Sequence, residues 1–135
     1  MSVSNGTSKH PVLVVLVNGE VQLEYDRGKA LPESQLRYLD RMDRQMDAGV
    51  RLGADWVDQP DTQQRAKFVA MHLVEALQQD NEPSIAASCA YLANRLPDLK
   101  QVRAKLLGVG VSLELVFDKP YVVENTVSFI PRTDS

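Results

Sequence analysis

Few residues in this chain have the chemistry of a nucleophile, a base or a metal ligand, and they lie far apart. There is one cysteine, Cys89, and the only imidazole in an ordered context to serve it is His72. A reactive thiolate needs a base within hydrogen-bond reach and an exposed, electropositive setting. Cys89 instead stands in line with Ile85, Leu92 and Leu96 on an alanine-rich stretch, a pattern that predicts a buried structural thiol. His72 falls at the border between the polar and apolar faces of its segment, where a partly buried, hydrogen-bonded ring is expected. Asp55, Asp58 and Asp61 are spaced by three around Trp56 and Pro60. Carboxylates suit hard cations, but this spacing lacks the alternation and glycine of a calcium loop. Loop carboxylates and a helix cap are the expectation, with no metal. Serine-hydrolase, P-loop, zinc-protease and paired-cysteine motifs are absent, and Gly108 and Gly110 lead into a strand pattern without the third glycine of a dinucleotide site. No catalytic residue is assigned and no cofactor is expected.

The better candidates are contact residues. Trp56 is the only tryptophan and sits in the longest apparent loop, where an aromatic side chain is a good anchor for a partner. Phe68 and Met71 lie on the otherwise polar side of their helix, and Met42 and Met46 lie on the preceding one. Large apolar groups in such places either meet a second layer of the same protein or a partner. Trp56, Phe68, Met71, Met42 and Met46 are therefore the partner-binding candidates, with a protein partner or a second copy (a homodimer) as the occupant. The alternative is a ligand pocket between sheet and helices, whose polar groups would be His72, Asn125, Asp55 and Asp58. Arg95, Lys100, Arg103 and Lys105 form a local basic run. Without interleaved aromatics it reads as a solvated face rather than a nucleic-acid site.

These residues are held by elements that the periodicity suggests. Thr62–Gln79 has a broad apolar arc of Ala66, Val69, Ala70, Leu73, Val74, Ala76 and Leu77, which predicts the central helix of the core. Asp61 and Gln64 have the spacing of a capping box at its start. Residues 12–17 are continuously apolar, Asn18-Gly19 is the preferred hairpin pair, and residues 20–25 alternate. A two-residue loop sets Val12, Val14 and Leu16 opposite Tyr25, Leu23 and Val21 on one apolar face; the first strand is expected inside the sheet and the second at its edge. Pro32 suits the start of a helix that Gly49 stops, with Glu33–Arg37 and Asp40–Arg44 as i,i+4 pairs. Residues 50–60 read as irregular and 84–96 as a third helix. After Pro97 a short basic helix is expected to carry Leu99, Val102 and Leu106 inward. Residues 111–117 and 121–129 then alternate as a second hairpin, with Asn125 the one polar residue on its apolar side.

The expectation is an α+β fold: a two-layer sandwich in which a mostly antiparallel four-stranded sheet, from N-terminal and C-terminal hairpins, packs against about four helices. Residues 1–10 are expected as a disordered tail and 11–135 as a single domain, a length sufficient for its own core. A net charge of -3 gives no general electrostatic reason to bind nucleic acid or an anionic membrane, and no apolar run reaches the ~20 residues of a span. The lone cysteine and the lack of an apolar leader fit a cytoplasmic protein. Together these point to a small interaction or regulatory module without catalysis, homo-oligomeric or partner-bound, with a small-molecule-binding domain or enzyme as the alternative.

Overall fold

Asn18 and Gly19 adopt positive φ, 54° and 83°, as a type I′ turn requires. They join β1 (Val12–Val17) to β2 (Glu20–Asp26), the expected hairpin. This computed structural model describes residues 12–108 and 110–120. The expected tail and the expected strand over 121–129, with Asn125, lie outside the described residues.

The sheet contains β2, β1, β5 (Gln101–Leu107) and β6 (Gly110–Val116) in that order, so β1 is internal and β2 an edge, as expected. The hairpins β1–β2 and β5–β6 are antiparallel, but β1 and β5 run parallel. The sheet is therefore mixed, and the parallel pair needs a long crossover. Three helices supply it: α1 (Glu33–Asp47), α2 (Thr62–Gln79) and α3 (Glu82–Arg95). The expected fourth, basic helix is β5 instead. Val102 and Ala104 face the helices, whereas Gln101, Arg103 and Lys105 face away, the alternation of a strand. β6 accordingly pairs with β5. Residues 50–60, expected to be irregular, hold a short antiparallel hairpin of β3 (Val50–Leu52) and β4 (Asp55–Val57).

The N-terminal hairpin departs from simple alternation by one residue. Leu16 pairs with Val21 as the turn dictates, but Val15 pairs with Leu23, leaving Gln22 as a bulge. A one-residue slip exchanges the two faces of a strand. Beyond the bulge the core side carries Leu13 and Val15 with Tyr25 and Leu23, and the expected apolar face of Val12, Val14 and Leu16 is the opposite one.

Buried residues of all three helices form one cluster with Leu13, Val15 and Val102, which places the helices on a single face of the sheet. The centre of that layer is α2, whose apolar arc is buried from Ala66 to Ala76. Its Asp61 cap and Gln64 make the reciprocal bonds of a capping box at 2.8 and 2.9 Å. No helix among the described residues is long and apolar enough to cross a membrane.

Candidate functional site

The polar interior of the helical layer determines how α1 sits on it. Only Leu39 and Met46 of α1 are buried, too little apolar area to dock fifteen residues unaided. Asp43 supplies the rest. Its Oδ1 accepts from the Tyr91 hydroxyl at 2.5 Å and from Arg65 at 3.2 Å, and its Oδ2 accepts from Arg95 Nε at 3.0 Å. Arg65 also donates to Asp47 at 2.6 Å and Arg95 to Asp40 at 2.8 Å. Asp40, Asp43 and Asp47 make one acidic ridge along α1, clamped by one arginine from each of the other helices. Burial works against ionisation of Asp43, but the bonds from Tyr91, Arg95 and Arg65 outweigh it and hold the carboxyl below its ordinary value. Burial and the Asp43 bond both push the Tyr91 hydroxyl upward, so it stays a neutral donor.

The clamp holds α1 beside α2 and α3 without closing the space between them. A cleft of about 520 Å³ remains, floored by Met46, Val50, Val69 and Ala76. Met42 and Tyr38 of α1 border it on one side, Phe68, His72 and Glu75 of α2 on another, and Ser84, Ala87 and Ser88 of α3 on the third. Gln45, Gln79 and Asn81 complete a polar rim. Phe68 and His72 are one turn apart and meet edge to face, with centroids 4.6 Å apart at 70°. His72 Nδ1 is 3.8 Å from a Glu75 carboxylate oxygen. Tyr38 is 44% exposed, lies under the Arg41 guanidinium, and also lines a second hollow of about 470 Å³ between α1 and α3.

Gly49 forms one end of the cleft and explains the placement of Trp56. Its φ of 122° belongs to glycine, and a β-carbon there would come within 2.4 Å of the Trp56 ring. The indole thus packs against the Gly49 backbone, donates to Asp58 at 2.8 Å, and stays 56% exposed. Of its loop, Val57 packs against the core and Trp56 does not.

Four of the sequence candidates therefore meet. Met42, Met46, Phe68 and His72 line one cleft, and Trp56 adjoins it through Gly49. Met71 is half-buried and does not line it. This cleft lies among the helices, whereas the sequence suggested a pocket between sheet and helices. Of its expected polar groups only His72 contributes, with a ring more exposed than expected; Asp55 and Asp58 stay on the β4 hairpin, and Asn125 lies outside the described residues. Asp61 caps α2, and among the described residues no three His, Cys, Asp or Glu side chains are placed to hold a metal ion. The Cys89 thiol is buried and pushed up to about 12 by that burial, so it is not a nucleophile at neutral pH. Arg95 is drawn into the clamp, which dissolves the expected basic run and takes Asp40 from Arg44.

Sequence reasoning missed Tyr38, Gln45, Gly49 and Ser88. Ser88 is the most informative of them: it is 5% exposed and lines the cleft, a buried hydroxyl on its α3 wall. No family model, no curated protein and no solved structure matches this chain.

Proposed function

We propose that this protein is a non-catalytic, cytoplasmic interaction module that receives a segment of a protein partner in the cleft between α1, α2 and α3. The observation that supports this reading is the convergence of Met42, Met46, Phe68 and His72 on one open cleft, with two exposed aromatics, Tyr38 and Trp56, beside it. Methionines reshape to fit varied apolar surfaces, and aromatics supply anchoring area at small entropic cost. A groove walled by helices, apolar at its floor and polar at its rim, suits an amphipathic segment with apolar groups about one turn apart.

Selection of displayed peptides on the immobilised protein tests this directly. The expected outcome is a set of related amphipathic sequences whose binding falls at least tenfold with Phe68→Lys, a half-buried position where a charge blocks the cleft without entering the core. If no sequence is enriched, or the same peptides bind Phe68→Lys unchanged, the reading fails. A small-molecule ligand in the same cleft is the second reading, favoured by the buried Ser88 hydroxyl on its wall and by a volume within the ~300–1,000 Å³ of such sites. A compound whose stabilising effect disappears in Ser88→Ala but survives Trp56→Ala would select it.

A further inference from the structure

The polar clamp grips α1 along one flank, that of Asp40, Asp43 and Asp47. Its other flank presents Gln35, Tyr38, Met42 and Gln45, whose spacing of i, i+3, i+7 and i+10 makes one helical ridge. That ridge runs past both openings of the helical layer. Gln35 lines the smaller hollow, Met42 and Gln45 line the cleft, and Tyr38 lines both. Ser84 and Ala87 of α3 are likewise shared. Cleft and hollow are therefore two halves of one trough that meet at Tyr38. From Gln35 to Gln45 this trough follows α1 for about 15 Å, or roughly three helical turns. In the hollow the α3 wall adds Pro83, Ala86 and Ala90, small side chains over which another helix can approach closely.

Two features select the occupant. The walls are helices, whose backbone groups are bonded within each helix, so they offer no edge on which an extended segment could pair. An occupant must satisfy its own main chain, and a helix does so. The two halves also differ in charge. Among the described residues, Arg41 is the one charged side chain lining the hollow, and its guanidinium stands 5.4 Å from the centre of the Tyr38 ring. In the cleft the charged group is the Glu75 carboxylate, beside the His72 imidazole. Both charges are exposed. Rim charges of opposite sign add little affinity each but fix which end of a partner lies where.

We infer, resting on the proposal that the cleft receives a partner segment, that the whole trough takes one amphipathic helix of about three turns from a protein partner. That helix carries an acidic residue at its Arg41 end and a basic residue at its Glu75 end. Titration calorimetry with the peptides selected on the wild-type protein tests this. The enriched sequences should hold an acidic and a basic residue at opposite ends of their apolar ridge. Arg41→Glu, at an exposed position, should weaken their binding about fivefold. Reversing the peptide's acidic residue to lysine should weaken it on wild type and restore it on Arg41→Glu, a coupling that general loss of structure cannot imitate. Peptides that are lost with Phe68→Lys yet indifferent to Arg41→Glu would occupy the cleft alone; that result overturns the inference and leaves the cleft as a shorter docking site. No enriched peptide at all removes both. A dimer in sedimentation that both Phe68→Lys and Arg41→Glu dissociate would give the trough to a second copy, which also overturns the inference.

Discussion

The Asp43 carboxylate accepts from three donors on two other helices, and no other side chain of α1 does comparable work. Replacing it with asparagine keeps the shape but leaves two guanidinium groups and a phenol short of their charged acceptor. Breaking a partly buried, charge-assisted network of this kind is expected to cost about 2–3 kcal/mol. The pH dependence follows from the direction of the shift. The carboxyl lies below its ordinary 3.8 in the folded protein, so its stabilisation is full above that value and is lost as the pH falls through the lowered native one. Urea titrations should show a constant gap between wild type and Asp43→Asn from pH 5 to 7, narrowing below 3.8. A gap that persists undiminished at pH 2 would mean that the carboxylate charge is not the source. The acidic ridge was visible in the sequence as aspartates three and four apart. Its partners were not, because Arg65 and Arg95 lie 22 and 52 residues from Asp43, and no local rule connects them.

Elements differ in how much of their own fate they carry. Thr62–Gln79 was readable from end to end because its period, its capping box and its left-handed Asp80 stop agree. β5 was not, since Leu99, Val102 and Leu106 also fit a helical spacing. Yet the alternation of Gln101, Val102, Arg103, Ala104 and Lys105 was the stronger signal, and the pairing with β1 and β6 decides between them. The Gln22 bulge left no trace because β1, opposite it, is apolar at every position and fits either register. The cleft was half legible for a related reason: Met42, Met46, Phe68 and His72 stand out within their own helices, whereas Tyr38 and Ser88 matter only because three helices meet. Arg27, just beyond β2, joins two such elements. Its guanidinium donates to the carbonyls of Ala93, Leu96 and Leu99, capping α3 and the turn into β5. Arg27→Ala should lower stability by about 2 kcal/mol and speed hydrogen exchange at the C-terminal turn of α3. Arg27→Lys should recover only part, because a single ammonium does not span three carbonyls. Unchanged exchange at Leu96 in the alanine variant would contradict the cap.

At the scale of the whole molecule the described residues form one core, and the small β3–β4 hairpin packs against α2. Trp56 reports on that hairpin, and far-ultraviolet dichroism reports on the helices. Because Val50 belongs to the same buried cluster as Val15 and Val102, the two signals should give coincident urea transitions. A tryptophan transition at distinctly lower urea would make the hairpin, and with it one end of the cleft, an independent unit.

The parallel partnership of β1 with β5 also has a history in time. On a ribosome the first strand emerges roughly ninety residues ahead of the one it must lie beside, which at ~5–20 residues per second is a delay of about 4–17 s. Throughout that interval Val12–Val17, apolar on both sides, has only β2 as a neighbour. The nascent hairpin thus presents an unpaired, sticky edge during synthesis. Slower translation is accordingly expected to lengthen that exposure and to lower the yield of native protein unless a chaperone covers the hairpin.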